Sequence, residues 1–305
     1  MRHLTSLVLL LLLLIVPSVH LTLGEKPVVV VTTSVLESIV KDLAGNEVEV
    51  VTVIPPNICP AHYDLRPGDV EIIRKASLVL AHGVEPWIEN LIKSSGSSAK
   101  LVYVRGGWNT PEFARQRYRD VAEALESELG IDLSDELNKC IKAINETEVS
   151  LKELSSKRGF VGTPVVAMKW QKDFLSFLGF NVVASYGPPE MVSAQELSRV
   201  IENATKNGAV LVIDNIQSGV DLGIKIAKEL GIREVALSNF PGVPKDVRNL
   251  TEMMKYNADL LEAALEERAS AGSEPEGLKI PLYVAVALIL IESLVIVLLW
   301  RRKHA

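Results

Sequence analysis

The stretch Val28-Val-Val-Val-Thr32-Thr-Ser34-Val-Leu-Glu37 decides the fold. Four consecutive valines have no polar face, so they read as a strand covered on both sides, as in a parallel sheet. Ser34 and Glu37 stand at capping-box spacing, and Gly45 marks the end of the helix they open. A buried strand running directly into a capped helix is the opening of a strand–helix–strand unit.

The same alternation recurs along the chain after the first unit. Residues 48–54 read as a second strand, Pro67-Gly-Asp69 opens a short helix, and Leu78–Ala81 and 101–104 read as two further strands. Strict alternation implies a parallel sheet with right-handed crossovers. From Glu112 to Lys157 the period is helical only, broken near Gly130-Ile-Asp-Leu-Ser134. The second piece of that region would be about 36 Å long as a helix. Strands return at Pro164–Met168, 182–185, 209–213 and 234–237, with a second capping box at Ser193-Ala-Gln-Glu196 and a last helix over 246–266. The fold predicted is α/β. An N-terminal lobe over 27–133 and a C-terminal lobe over 159–266 each hold a parallel sheet flanked by helices, and a long helical spine over 134–158 joins them.

The ends of the chain address it to a membrane. Arg2 and His3 followed by an apolar run over 7–16 read as a secretory signal peptide, 1–24, with an uncleaved anchor as the alternative. A second apolar run over 280–300 has the length of a transmembrane helix, about 20 residues for a core of about 30 Å. Arg301-Arg-Lys303 should hold the tail 301–305 in the cytoplasm. The expected location is the cell membrane, single-pass, with the body extracytoplasmic. Glu292 near mid-span is costly there and reads either as a contact to another membrane subunit or as a snorkelling side chain. Residues 267–279, rich in Ser, Ala, Gly, Pro and Glu, read as a flexible stem. The triplets at Asn145, Asn203 and Asn249 fit glycosylation acceptors.

Composition bounds the chemistry. The chain has 305 residues, 48% of them hydrophobic, and a formal charge of −6. An acidic balance without a basic block outside the membrane flank argues against nucleic acid as a partner. Cys59 and Cys140 could pair in an oxidising compartment, a geometry that spacing alone does not test. No Gly-x-Ser-x-Gly elbow, Gly-rich phosphate loop or paired histidines at helical spacing is present, which argues against an enzyme. His62 and Asp214 could form an acid–base pair, though nothing in the spacing singles them out.

After the second strand comes Pro55-Pro-Asn-Ile-Cys59-Pro-Ala-His62-Tyr-Asp64, a proline-stiffened loop that gathers thiol, imidazole and carboxylate at a strand end. Imidazole and thiolate suit zinc, copper and other borderline metals, whereas Asp64 suits harder ions. The plainer alternative is a loop whose His62 hydrogen-bonds locally.

The segment 54–71 resembles the signature of the zinc/manganese-binding proteins of ABC importers, and the resemblance extends over 27–266. Trp108 with Glu112 and Ala114, and Met253-Met-Lys-Tyr256-Asn257, look like further segments of that family. The resemblance implies two lobes and a connecting helix holding one divalent metal, zinc or manganese, for delivery to an ABC permease and its ATPase. Of the family's four ligand positions, the first falls on His62. The other three fall on Gly106, Met168 and Asn239.

Histidine counting shows the same departure. Of five histidines, His3, His20 and His304 lie in the terminal segments, leaving His62 and His82 in the body. His62, Met168 and Cys59 together would favour a soft, Cu(I)-like ion. Asp214, or Glu85 after His82, would supply carboxylates for Mn or Zn. Each has a structural alternative: core packing for Met168, a helix cap for Asp214 and a strand-end turn for His82. The rival function keeps the fold with a degenerate metal site and takes a non-metal ligand, or serves as an adhesion or scaffold protein. With no lipid-anchor cysteine after the signal, the C-terminal helix would tether the body.

Overall fold

The structure is a computed structural model, which describes residues 25–273 together with 300 and 302. The expected signal peptide, Glu292 and nearly all of the expected membrane segment lie outside the described residues. Among the described residues, no helix is long and apolar enough to cross a membrane. The body divides into two compact units. The first takes 25–150 and 238–253, and the second takes 151–237 and 254 onward.

The first unit is built on β1 (Val28–Val31), α1 (Ser34–Ala44), β2 (Glu49–Thr52), α2 (Pro67–Arg74), β3 (Leu78–Ala81), α3 (Ile88–Ser95), β4 (Lys100–Tyr103) and α4 (Pro111–Leu129). Helix α5 (Ser134–Lys157) begins in this unit. The strands form one parallel sheet in the order β2-β1-β3-β4, with Val30 opposite both Val51 and Val79. Val29, Val30 and Val31 are fully buried, as a strand covered on both faces requires.

Helix α1 buries Val35, Leu36, Ile39, Val40 and Leu43, and it is capped one residue earlier than the Ser-x-x-Glu spacing suggests. Thr33, extended at φ −134°, accepts from the Leu36 amide at 3.5 Å, and Ser34 is already helical. Gly45 closes the helix in right-handed geometry, φ −57°, without the left-handed cap expected of a glycine.

The second unit repeats the plan with β5 (Pro164–Met168), α6 (Lys172–Phe177), β6 (Asn181–Tyr186), α7 (Ala194–Lys206), β7 (Leu211–Asn215), α8 (Asp221–Leu230) and β8 (Arg233–Leu237), and the last helix, α9 (Leu250–Ser273), begins in the first unit and continues in the second. Its sheet is parallel in the order β6-β5-β7-β8. Ser193 caps α7 by accepting from the Glu196 amide at 3.2 Å.

Helix α9 starts later and ends later than the sequence suggests. A turn closed by the Val247 amide on the Pro244 carbonyl at 3.1 Å occupies the expected start, and Asn249 caps the helix by accepting from the Glu252 amide at 3.1 Å. It continues to Ser273, through the first part of the segment read as a stem, where Glu267 pairs with Arg233 of β8. Cys59 and Cys140 are both free thiols.

Candidate functional site

In each sheet the strand order reverses beside the first strand of the unit, and open parallel sheets place ligands beyond the carboxyl ends of the strands at that reversal. In the first unit this means the loops after β1 and β3. They carry four buried polar residues: Thr32, Thr33, His82 and Glu85.

Glu85 folds back over its own loop. Its Oε1 accepts from Thr32 Oγ1 at 2.5 Å and from the His82 amide at 3.1 Å. Its Oε2 accepts from the Gly83 and Val84 amides at 2.8 and 2.9 Å. All four partners are donors, so both carboxylate oxygens are engaged within the loop. His82 bridges the neighbouring strand ends, with Nε2 2.8 Å from Thr33 Oγ1 and Nδ1 3.3 Å from the Val104 carbonyl. A carbonyl only accepts, so Nδ1 carries the proton and the Thr33 hydroxyl donates to Nε2. Burial pulls the imidazole pKa down to about 4 against the opposing charge of Glu85, keeping His82 neutral at pH 7. The turn read at His82-Gly83 is thus present, buttressed by a carboxylate.

An aromatic row continues from this loop. Trp108 lies against His82 at a centroid distance of 4.4 Å and stacks on Phe240 at 5.8 Å. Trp108 Nε1 donates to the Asn239 carbonyl at 2.7 Å, and Asn109 Nδ2 donates to Asn239 Oδ1 at 3.5 Å. Asn239 is therefore brought to Trp108, within the first unit, by the returning segment 238–253.

His62 ends a single 3-10 turn, Pro60–His62, with half-buried Cys59 at its start. The loop is pinned from beneath. Tyr63 donates to Asp69 Oδ2 at 3.0 Å, Trp87 Nε1 donates to the Pro60 carbonyl at 3.3 Å, and the Tyr63 and Trp87 rings are 5.6 Å apart. The imidazole itself is exposed. Its neighbours thus fix the backbone of a donor that faces outward.

In the second unit Met168 ends β5, fully buried in the core with Tyr186 and Ile226, and its Sδ accepts from the Trp170 amide at 3.3 Å. Beside it, Gln171 donates to Asn215 Oδ1 at 3.1 Å. Asp214 is buried in β7 and accepts from the Tyr186 hydroxyl at 2.7 Å, while its Oδ2 finds no hydrogen-bond partner among the described residues. Cys59 and His62 thus share one loop, Asn239 sits at Trp108, and Met168 and Asp214 meet at Tyr186. Among the described residues no three His, Cys, Asp or Glu side chains are grouped so as to hold a metal ion.

Burial raises the Asp214 carboxyl to about 6, and burial together with the charge of Asp214 raises Glu234 on β8 to about 7. The folded unit therefore prefers the protonated acids. Their contribution is complete below the unfolded value near 4 and is lost as pH rises through about 6 to 7. We expect Asp214→Asn to gain about 2 kcal/mol on the natural protein between pH 4.5 and 7.5, measured as the difference in urea unfolding free energies. An unchanged difference would mean that Asp214 is ionised at no cost.

One set of residues carries no metal-ligand type. Position 106, where the resemblance places a ligand, is a glycine over which the Arg117 guanidinium packs: a Cβ there would lie 3.3 Å from Arg117 Cζ. The visible trace in sequence is Arg115-Gln-Arg117-Tyr-Arg119 following Gly106-Gly107, an alternation that carries no metal-ligand type.

A four-stranded parallel sheet repeated in two units, each with loops gathered at its reversal, defines a two-unit α/β fold. Residues 29–136 match the family model described as ZnuA, zinc-uptake complex component A, periplasmic. The resemblance to zinc/manganese-binding proteins of ABC importers therefore holds on that segment. Among solved structures, the chain is similar to a crystal structure of ZnuA, with 18% identity and a TM-score of 0.66, covering 79% of this chain and 100% of that one. It is also similar to a periplasmic metal-binding protein from Candidatus Liberibacter asiaticus, with 15% identity, a TM-score of 0.66 and the same coverage, solved also with Mn and with Cd bound. At these identities the likeness establishes the fold.

Proposed function

We propose that this chain is the extracytoplasmic, membrane-tethered capture component of an ABC importer, that it is not an enzyme, and that its cargo is a transition-metal ion. The observation that carries the reading is the likeness to the whole length of the ZnuA chain, with His62 exposed on a braced loop of the first unit. In this reading the segment 280–300 anchors the body beside a permease and its ATPase, and sequon asparagines such as Asn203, exposed on α7, carry glycans.

A second reading keeps the fold and drops the metal. It is favoured by the neutral amide at Asn239, the packed thioether of Met168 and the glycine at 106. A thermal-shift panel with Zn, Mn, Fe, Ni and Cu(I) separates the two. A bound ion should stabilise the body by about 2.7 kcal/mol at a hundredfold excess over its dissociation constant, and His62→Ala should abolish the shift. A flat response to every metal would sink the first reading and leave the second.

A further inference from the structure

We propose that the first unit carries an anion site, in a cavity of about 460 Å³ walled by Arg105, Arg115, Arg117 and Arg119 around Gly106-Gly107, that takes a small organic polyanion bearing phosphoryl or carboxylate groups. This goes beyond the metal reading and does not depend on it.

The wall is strongly unbalanced in charge: Glu112 is the single carboxylate among its lining residues. Two of the arginines are held by partners. Arg115 Nη1 donates to Glu148 Oε2 at 2.6 Å and to Asn145 Oδ1 at 3.1 Å, and Arg105 lies over the Tyr103 ring at 4.4 Å. Arg117 differs. It is 8% exposed, and its Nη2 pairs with Asp120 at 2.9 Å. Its Nε and Nη1 are buried with no hydrogen-bond partner among the described residues. Buried guanidinium N–H groups without acceptors are costly, and gathering like charges around them adds to the cost. An oxyanion is the chemistry that offsets the gathered positive charge, and guanidinium edges match carboxylate and phosphate oxygens.

The glycines let the wall close in: the Arg117 guanidinium packs over Gly106, where a Cβ would run into it, and Phe113 packs over Gly107, where a Cβ would lie 2.7 Å from its Cδ2, so no other residue seats both side chains here. The cavity also borders the first turns of α4, whose N-terminal partial charge favours an anion. Its volume lies in the range of small-molecule sites, about 300–1,000 Å³. An inorganic phosphate would fill only part of it, which points to an organic polyanion.

The test is calorimetric titration of chelator-stripped protein, so that failure of metal capture leaves the result standing. The probes are citrate for polycarboxylates, fructose 1,6-bisphosphate for phosphoryl esters, and inorganic phosphate, at fixed ionic strength. We expect one organic probe to bind at least about tenfold tighter than inorganic phosphate, and which one does so assigns the class. Arg117→Lys, which keeps the charge and loses the planar donors, should weaken that probe about tenfold or more. Exposed Arg105→Gln and Arg119→Gln should each weaken it several-fold, and they keep the test valid if the buried variant folds poorly. No binding of any probe up to about 10 mM, or binding indifferent to all three substitutions, would overturn the site.

Discussion

Gly223→Ala is expected to destabilise the second unit by about 3 kcal/mol or more, even though alanine is the better helix former by about 1 kcal/mol. Gly223 lies in the first turn of α8, buried against β7. A Cβ there would stand 2.5 Å from Asp214 Cγ and 2.6 Å from the Tyr186 hydroxyl oxygen, inside any real contact distance. Relief requires α8 to withdraw from the sheet or Asp214 to leave Tyr186. The second route strands a buried carboxyl and a buried hydroxyl, each at about 1–3 kcal/mol. Gly187→Ala is the control within the same unit, since a Cβ there meets nothing within 4 Å. Its effect should stay within about 0.5 kcal/mol. Urea unfolding of both variants decides the matter, and equal midpoints would show that α8 yields freely.

What the sequence disclosed and what it concealed follow from the same physics. The valine run of β1 and the apolar strands Leu78–Ala81 and Pro164–Met168 were legible because a strand buried on both faces has no room for polar residues. The cap of α1 falls on Thr33, one residue before the Ser-x-x-Glu spacing, and the same hydroxyl is tied to His82, a contact 49 residues away that no local spacing encodes. The end of α9 was misplaced because alanine-rich, charged sequence suits an exposed helix as well as a stem, and the Arg233–Glu267 pair is non-local.

Among the candidate site residues, His62 was legible by its type and its proline-stiffened loop. The surroundings that give Met168, Asp214 and Asn239 their roles come from Trp170, Tyr186 and Trp108, and the last of these is 131 residues from its partner. The arginine-walled cavity was least legible, because it depends on Arg117 and Phe113 packing over Gly106 and Gly107, which nothing in an ordinary charged helix announces.

Glu85→Gln should cost the first unit about 2–4 kcal/mol, a large effect for a change that removes one charge and keeps every heavy atom in place. The reason is that every group facing the carboxylate donates. Thr32 Oγ1 and the amides of His82, Gly83 and Val84 bring four donors to two oxygens. An amide offers one acceptor oxygen and turns an NH₂ toward the remaining donors, so either the part-buried Gly83 and Val84 N–H groups, or the buried His82 N–H and the Thr32 hydroxyl, lose their partner. Thr32 is able to rotate its hydroxyl away, whereas the Gly83 and Val84 amides are fixed by the turn, with Gly83 at φ +82°. The NH₂ should therefore take the Oε1 side, facing Thr32 and the His82 amide, and the loop should keep the Gly83 and Val84 bonds at the expense of the His82 bond and the tie to β1. Thr32→Val added to the Glu85→Gln variant then removes a hydroxyl already without its acceptor and should add little, while Thr32→Val alone should cost about 1 kcal/mol or more. A double-mutant cycle by urea unfolding, with the fluorescence of Trp87 and Trp108 reporting the first unit, measures this coupling. Additive losses would show that Glu85 and Thr32 act independently and that the loop after β3 is held by something other than this carboxylate.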